Sequence, residues 1–311
     1  MNKTDDIRGL ILPIPTVFRE DGQVDEATLT ELVDFYLEAK VHAIFTLGSF
    51  GQGPALAPDE RKRVADLIVK RVNHRVPCIV HVGTVDPYTS IALGRHARDI
   101  GADAIALVGP YYYSDRSEYE IIEHFRMVDR AIDLPILVYN NPQYSGYPIP
   151  PAMMARLVDA VPNIFGSKLA MGSVDEAMAY LHAVKQEFAP FVLASSLITG
   201  MAVGVKGTIS PPLAPAPELG VRLVEAIDER RWEDALHLQT KVNQLHSLFM
   251  RLSRSFGRTV AKESLNLRGF KVKMYPRWPA RPFTIEARAE LEKVLQSVLG
   301  DGELTHKSKT A

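Results

Sequence analysis

Several kinds of chemistry are excluded by what this chain lacks. Its 311 residues contain a single cysteine, Cys78 in the apolar run Pro77-Cys78-Ile79-Val80, so no intrachain disulfide can form. That thiol reads as a small core residue and fits a reducing compartment. Charge of one sign is not in excess: 36 Lys and Arg stand against 37 Asp and Glu, a formal net charge of -1. No electrostatic footprint for nucleic acid or an acidic membrane follows, and neither is expected as a partner. No uninterrupted apolar run approaches membrane-spanning length. The start, Met1-Asn2-Lys3-Thr4-Asp5-Asp6, has acids where a signal peptide needs a basic and then an apolar stretch, so the cytoplasm is the expected location. The nine histidines form no H-E-x-x-H motif or close His/Asp cluster, so no metal site is expected. No G-x-x-x-x-G-K-[ST] loop occurs either. What remains is a soluble globular protein acting on a small molecule.

What is present is enough for a large core, with 46% hydrophobic and 23% charged residues. From Leu10 onward, short β-prone runs alternate with longer amphipathic ones. The expected strands are Leu10–Phe18, Ala43–Leu47, Pro77–Gly83, Ala104–Val108, Pro135–Tyr139, Ile164–Lys168, Phe191–Ala194 and Lys206–Ser210. The intervening helices are expected at Asp25–Ala39, from Asp59, Pro87–Ile100, Ser117–Ala131, Pro151–Ala160, Val174–Phe188, Ile198–Val203 and Pro217–Glu229. Ser117 and Glu120 are spaced as a capping box. Eight strand-helix units with short connections predict a closed (β/α)8 TIM barrel, an α/β fold. The competing open sheet would carry a Gly-rich loop after its first strand, where this chain has Pro13-Ile14-Pro15-Thr16. Residues 1–230 are therefore read as the barrel and 231–299 as a C-terminal helical extension. Its helices are expected at Trp232–Leu252, Thr259–Leu267 and Ile285–Leu299, with a frayed polar tail expected over residues 300–311.

One lysine is out of place in this pattern. Lys168 sits near the end of the sixth strand, in Ile164-Phe165-Gly166-Ser167-Lys168-Leu169. Burial disfavours an ammonium and enriches the neutral amine that attacks ketones. The competing account is a stem along apolar surface with its head in water. The barrel weighs against that account, because residues at the C-terminal ends of its strands share one mouth. Gly48-Ser49-Phe50-Gly51 follows strand two, Pro110-Tyr111-Tyr112-Tyr113 follows strand four, and Tyr139 ends strand five. Adjacent strands lie ~4.8 Å apart, so the Tyr139 phenol can reach the Lys168 amine. Schiff-base chemistry needs such an acid/base, with Ser49 and a neighbouring tyrosine available to relay its proton. Taken singly, each has an ordinary explanation: strand-end tyrosines are often packing residues, and a serine between glycines is often turn chemistry. His81 on strand three reads as a satisfied core histidine. The run Arg61-Lys62-Arg63, near the start of a helix, reads as a solvated face.

Gly-Ser-x-Gly, Pro-Tyr-Tyr, Tyr-Asn-x-Pro and Gly-x-Lys in this order resemble the dihydrodipicolinate synthase / N-acetylneuraminate lyase family, from about Leu10 to Leu299. The resemblance implies that Lys168 forms a Schiff base with pyruvate or another 2-keto acid, without metal or organic cofactor. It implies Tyr139 as general acid/base, Ser49 as relay hydroxyl, and Tyr112 as the relay tyrosine that the family often takes from a neighbouring subunit. Gly48, Ser49 and the Phe50 backbone would hold the keto-acid carboxylate, with Ile209 contacting the keto acid through its backbone. Backbone amides in a Gly-rich turn make such an anion site. A homo-oligomer, dimer or tetramer, is also implied.

Three departures bear on the second substrate. Phe50 and Gln52 stand where the family loop usually has a hydroxyl residue and an acid, and Tyr144 stands where dihydrodipicolinate synthases carry an arginine for the carboxylate of aspartate semialdehyde. Loss of that charge-assisted contact argues against lysine biosynthesis. Leu169-Ala170 lacks the hydroxyl residue that sialic acid lyases place after the lysine. The expectation is a class I lyase joining or cleaving a keto acid and a less polar aldehyde-type acceptor. Phe50 either contributes to that acceptor site or packs in the rim. A hydratase-aldolase or dehydratase using the same Schiff base is the alternative, and a non-catalytic keto-acid-binding barrel the reading from another class.

Overall fold

The computed structural model describes residues 4, 6–169, 173–272, 277, 279–300 and 304. Strands β1 (Gly9–Pro13), β2 (Ala43–Thr46), β3 (Cys78–His81), β4 (Ala104–Val108), β5 (Ile136–Asn140), β6 (Ile164–Leu169), β7 (Ala189–Val192) and β8 (Gly207–Thr208) close into a parallel barrel in sequence order. The strands are almost wholly buried, as strands covered on both faces must be. Helices α1 (Glu26–Glu38), α2 (Pro58–Val72), α3 (Pro87–Asp99), α4 (Glu118–Ala131), α5 (Pro142–Ser145), α6 (Pro151–Ala160), α7 (Val174–Ala183), α8 (Leu197–Ala202) and α9 (Pro217–Asp228) alternate with them. Local chemistry fixes several starts: Asp25 accepts from the Thr28 amide, Asp86 from that of Thr89, and Ser117 with Glu120 forms the expected capping box.

Some boundaries differ from the sequence expectation for identifiable reasons. β1 stops at Pro13 rather than Phe18, since Pro13 and Pro15 have no amide to donate; Phe18 instead bridges antiparallel to Val24. α7 ends at Ala183 and β7 begins at Ala189, upstream of their expected positions. Val184 and Phe188 continue a helical spacing, but both are buried outside any helix, and Pro190 biases Ala189 toward extended backbone. β8 is short: a Cβ on Gly207 would lie 2.1 Å from the Gly9 carbonyl oxygen, so this contact requires glycine. The one-turn α5 has no apolar periodicity and was not legible beforehand.

Two apolar layers set the architecture. Inside the barrel, Ile11, Phe45, Ile79, Ala106, Leu137 and Phe191 form a compact cluster. With a side-chain period of two, the same inward face continues from Ile79 to His81, and from Leu137 to Tyr139. Tyr139 pairs with Lys168 and Leu137 with Gly166, so Lys168 occupies the inward row of β6 one layer above a glycine. The second layer lies between barrel and helices and runs unbroken from Leu10 to Val298. It takes in α10 (Trp232–Phe256), α11 (Thr259–Leu267) and α12 (Ile285–Leu299). The helical region therefore shares the barrel's outer core. Gln239 on α10 fastens it, donating to the Ala194 carbonyl at 2.8 Å and accepting from the Ile198 amide at 3.2 Å. Among the described residues no helix is long and apolar enough to cross a membrane.

Candidate active site

At the C-terminal mouth of the barrel a cavity of about 300 Å³ is lined by Ser49, Gln52, His81, Tyr111, Tyr139, Tyr144 and Arg258, with Val108, Pro54 and Ala55. Lys168 lies beside the lining residue Tyr139, only 6% exposed, with Nζ 4.5 Å from the Tyr139 ring centroid and 5.4 Å from that of Phe45. Tyr139 Oη is 2.8 Å from Ser49 Oγ and accepts from Asn141 Nδ2 at 3.3 Å. Burial pushes the Tyr139 phenol up, but the Lys168 charge and hydrogen bonds from Ser49, Asn141 and Lys168 together hold it below its ordinary value. A buried amine, a phenol biased toward giving up its proton, and a hydroxyl to carry that proton are thus contiguous. This arrangement suits formation of a carbinolamine and its iminium.

Neighbouring residues hold this set in place. Asn141 caps α5 through its Oδ1, which accepts from the Gln143 amide at 3.2 Å, so the same side chain starts a helix and steers Tyr139. Asn140 ties the end of β5 to the Ile149 backbone and the Tyr180 hydroxyl. In the loop after β2, a Cβ on Gly48 would lie 2.3 Å from the Phe45 ring, so the backbone reaches this depth only as glycine. The turn is closed by the Gln52 and Gly53 amides donating to the Ser49 and Gly48 carbonyls, not by the amides of Ser49 and Phe50.

The remaining sequence-selected residues divide. Tyr144 lines the cavity and accepts from Arg258 at 3.2 Å. Phe50 does not line it; the side chain is 8% exposed and packs in the outer core, so it is no wall for an acceptor. Ile209 follows β8 in the inner cluster, its amide committed to the Val192 carbonyl at 3.2 Å. Tyr112 is not part of its own cavity: it is 82% exposed, has a left-handed φ of 78°, and packs against Tyr113. Tyr111 takes the inner place instead, its hydroxyl pushed up by burial. Ala170 lies outside the described residues.

Two bland sequence readings are overturned. Arg61 is buried, not solvated. It lies on the α2 face that carries Val64 and Ile68, and donates to the His81 carbonyl at 2.8 Å and the Gly83 carbonyl at 3.2 Å. Burial pulls its guanidinium down to about 10. His81 is not a satisfied core residue: it lines the cavity, and neither ring nitrogen has a hydrogen-bond partner among the described residues. Arg258 was not selected at all, because it lies beyond the barrel, where strand-end reasoning does not reach. A second buried lysine, Lys262 on α11, has its Nζ 4.6 Å from the Phe18 ring centroid and an amine brought down to about 7 by burial and the Arg258 charge. Its amine faces Phe18 and not a residue of the mouth, whereas that of Lys168 faces the lining residue Tyr139, so a lowered pKa alone does not mark the nucleophile. A larger groove of about 810 Å³ opens at the opposite end, beside Arg8, Asn163 and Lys206. It lies at the N-terminal ends of the strands, the face that supports barrel stability rather than chemistry.

Comparison with known proteins agrees with this geometry. The sequence profile of the dihydrodipicolinate synthetase family matches residues 6–298. A putative 2-dehydro-3-deoxy-D-gluconate aldolase, YagE of Escherichia coli K12, is 31% identical over 93% of this chain and 96% of its own length. An uncharacterised DapA-like lyase of Thermococcus onnurineus is 32% identical over 94% of this chain and 100% of its own. Among solved structures, YagE in complex with pyruvate superposes with a TM-score of 0.87 at 30% identity, covering 94% of this chain and 98% of that one. Dihydrodipicolinate synthase from Aquifex aeolicus gives 0.86 at 26% identity, covering 93% and 97%. The chain belongs to the dihydrodipicolinate synthetase family, as a lyase of its class I aldolase type.

Proposed function

We propose that this lyase binds pyruvate, or a close 2-keto acid, as a Schiff base on Lys168 and uses the resulting enamine to make or break a carbon-carbon bond with an aldehyde. The observation that carries the reading is the pairing of Lys168 with Tyr139 across β6 and β5, with Ser49 Oγ 2.8 Å from the phenol oxygen. Lys168 attacks the keto carbon, Tyr139 serves the proton transfers that expel water, and the iminium draws electrons from C3 so that a proton there can leave. The carboxylate is held by the backbone amides after Gly48, and the reading requires no metal or organic cofactor. The YagE structure with pyruvate lends it support by likeness. Incubation with pyruvate and borohydride tests it: a reduced adduct mapping to the peptide of Lys168 is expected, and no adduct with any 2-keto acid would sink the mechanism.

Tyr112 belongs to the same reading through a second copy of the chain. Its exposure and left-handed backbone suit a side chain offered to a partner's mouth, in a dimer or in a tetramer built from two dimers.

The acceptor side is apolar along Val108, Pro54, Ala55, Tyr111 and Tyr144; among the described residues Arg258 is the one charged lining residue and no carboxylate joins it. Aspartate semialdehyde loses its usual arginine at Tyr144. We assign the acceptor instead as an aldehyde with an apolar or aromatic body and an acidic end facing Arg258. A charge-assisted hydrogen bond contributes about 1.5–3 kcal/mol. Arg258→Ala is therefore expected to raise KM for phthalaldehydic acid or succinic semialdehyde by roughly 10- to 100-fold. Benzaldehyde and butyraldehyde, which lack the acid, should change little. Equal losses for charged and uncharged aldehydes would remove Arg258 from acceptor recognition.

A further inference from the structure

His81 is the polar side chain at the mouth for which neither the fold nor the steps above has a use. It sits at the end of β3, 2% exposed, among the residues lining the cavity. Its ring stands edge-on to Tyr139, with centroids 5.6 Å apart and planes at 89°, and 6.3 Å from the Phe45 ring at 52°. Both flanks are thus occupied by aromatic carbon, and neither Nδ1 nor Nε2 has a hydrogen-bond partner among the described residues. Burial holds the imidazole well below its ordinary pKa, reinforced by the Arg61 and Lys168 charges and opposed by the Leu47 backbone, which approaches the ring without reaching hydrogen-bond geometry. The ring is neutral at pH 7, with one donor and one acceptor.

A buried imidazole without partners costs stability, because each unsatisfied group keeps its full desolvation penalty. An apolar residue would fill the same layer without that cost. The ring is also held in position from behind, since Arg61 grips the His81 and Gly83 carbonyls. Buried polar atoms without partners, on a residue that lines a reaction cavity, are what a substrate oxygen requires.

We infer that His81 hydrogen-bonds the oxygen on the acceptor-derived carbon, the aldehyde oxygen before bond formation and the C4 hydroxyl after it. The inference rests on the Schiff-base reading above and extends it to the second substrate. In the condensation direction the enamine carbon attacks the aldehyde carbon and the new carbon-carbon bond forms. The carbonyl π electrons move to oxygen, and the enamine nitrogen lone pair restores the iminium on Lys168. The oxygen takes its proton from Tyr139, and His81, edge-on to that phenol, holds the oxygen within reach of it. Cleavage is the reverse. The neutral ring acts by donating a hydrogen bond and not by surrendering its proton, so it positions and polarises the oxygen while Tyr139 does the proton transfer.

The test compares two keto acids that differ in this oxygen alone, 4-hydroxy-2-oxobutanoate and 2-oxobutanoate. Each is trapped on the enzyme with borohydride over short times, alongside pyruvate. Wild type is expected to favour the hydroxylated ligand about tenfold in adduct formation, the scale of one hydrogen bond. His81→Phe keeps a ring of similar shape without its nitrogens and should lose that preference while trapping pyruvate within about twofold of wild type, as loss of one bond predicts. His81→Gln, which restores a donor and an acceptor, should recover part of it. Should His81→Phe fail to fold, His81→Leu against His81→Gln makes the same comparison. Unchanged discrimination in the apolar variant overturns the inference, as does parallel loss of pyruvate trapping, which marks a packing role. Absence of any wild-type adduct overturns the Schiff-base reading itself and is distinguishable from either result.

Discussion

Replacing Lys168 by alanine is expected to abolish borohydride-trapped adduct and to lower aldol turnover by about 10⁴-fold or more, because the covalent intermediate forms on this amine. The expectation is specific to this lysine. Lys262 is also buried, with its amine brought down to about 7, so an argument from amine basicity alone would point to it. Geometry reverses that choice: Lys168 lies beside the lining residue Tyr139, whereas Lys262 faces the ring of Phe18. Lys262→Met should therefore keep the adduct, and the trapped peptide should remain that of Lys168. Adduct formation that survives Lys168→Ala but is lost in Lys262→Met would transfer the chemistry to the other lysine. Lys168→Arg should be as inactive as the alanine variant, since a guanidinium stays protonated and cannot attack.

How much of this was legible beforehand depended on the kind of signal. Buried parallel strands read as short continuous apolar runs, and eight of them alternating with amphipathic helices leave little choice of closure, so the barrel was recoverable from pattern. The strand-end rule then brought Ser49, Tyr139 and Lys168 together, and these three are adjacent in space. The same rule failed where orientation mattered more than position. Tyr111 and Tyr112 follow the same strand, but a left-handed φ at Tyr112 sends one side chain inward and the other out. Phe50 replaces a hydroxyl residue in sequence, yet its ring turns into the core between barrel and helices. Arg61 was misread because a charge among charges looks solvated, and only the α2 packing face distinguishes it from Arg63, which is exposed and paired with Glu26. His81 was placed on the right face and given too bland a role, since a hydrogen-bond deficit cannot be read from composition or period. Arg258 comes from the turn between α10 and α11, outside the repeat, so nothing in the barrel pattern pointed to it.

Tyr139→Phe is expected to leave the fold intact and lower turnover by about 10²- to 10⁴-fold, the range of a positioned general acid/base. The ring fills the same layer against Phe45 and His81, so packing is retained and the loss falls on the hydroxyl. Its pH signature separates this role from a structural one. The folded-state pKa of Tyr139 lies below its ordinary value, with burial opposing the shift and Lys168 and the Ser49 and Asn141 bonds driving it. The protonated phenol needed for the aldehyde oxygen should therefore be lost at a lower pH than for a free tyrosine, and the alkaline limb of the condensation rate should begin below about 10. In Tyr139→Phe that limb should disappear from the residual rate. The stability contribution has a definite sign. A depressed folded-state pKa stabilises fully above the unfolded value of about 10, and this contribution is lost as pH falls through the folded value. At pH 7 its removal therefore costs little through this route, and a large drop in thermal stability there would point to packing. Ser49→Ala should shift the alkaline limb upward, since one of the bonds favouring the phenolate is gone, with a smaller loss of rate than Tyr139→Phe. An alkaline limb that persists unchanged in Tyr139→Phe would assign the proton transfer to another group, with the Tyr111 and Tyr144 phenols remaining in the cavity lining.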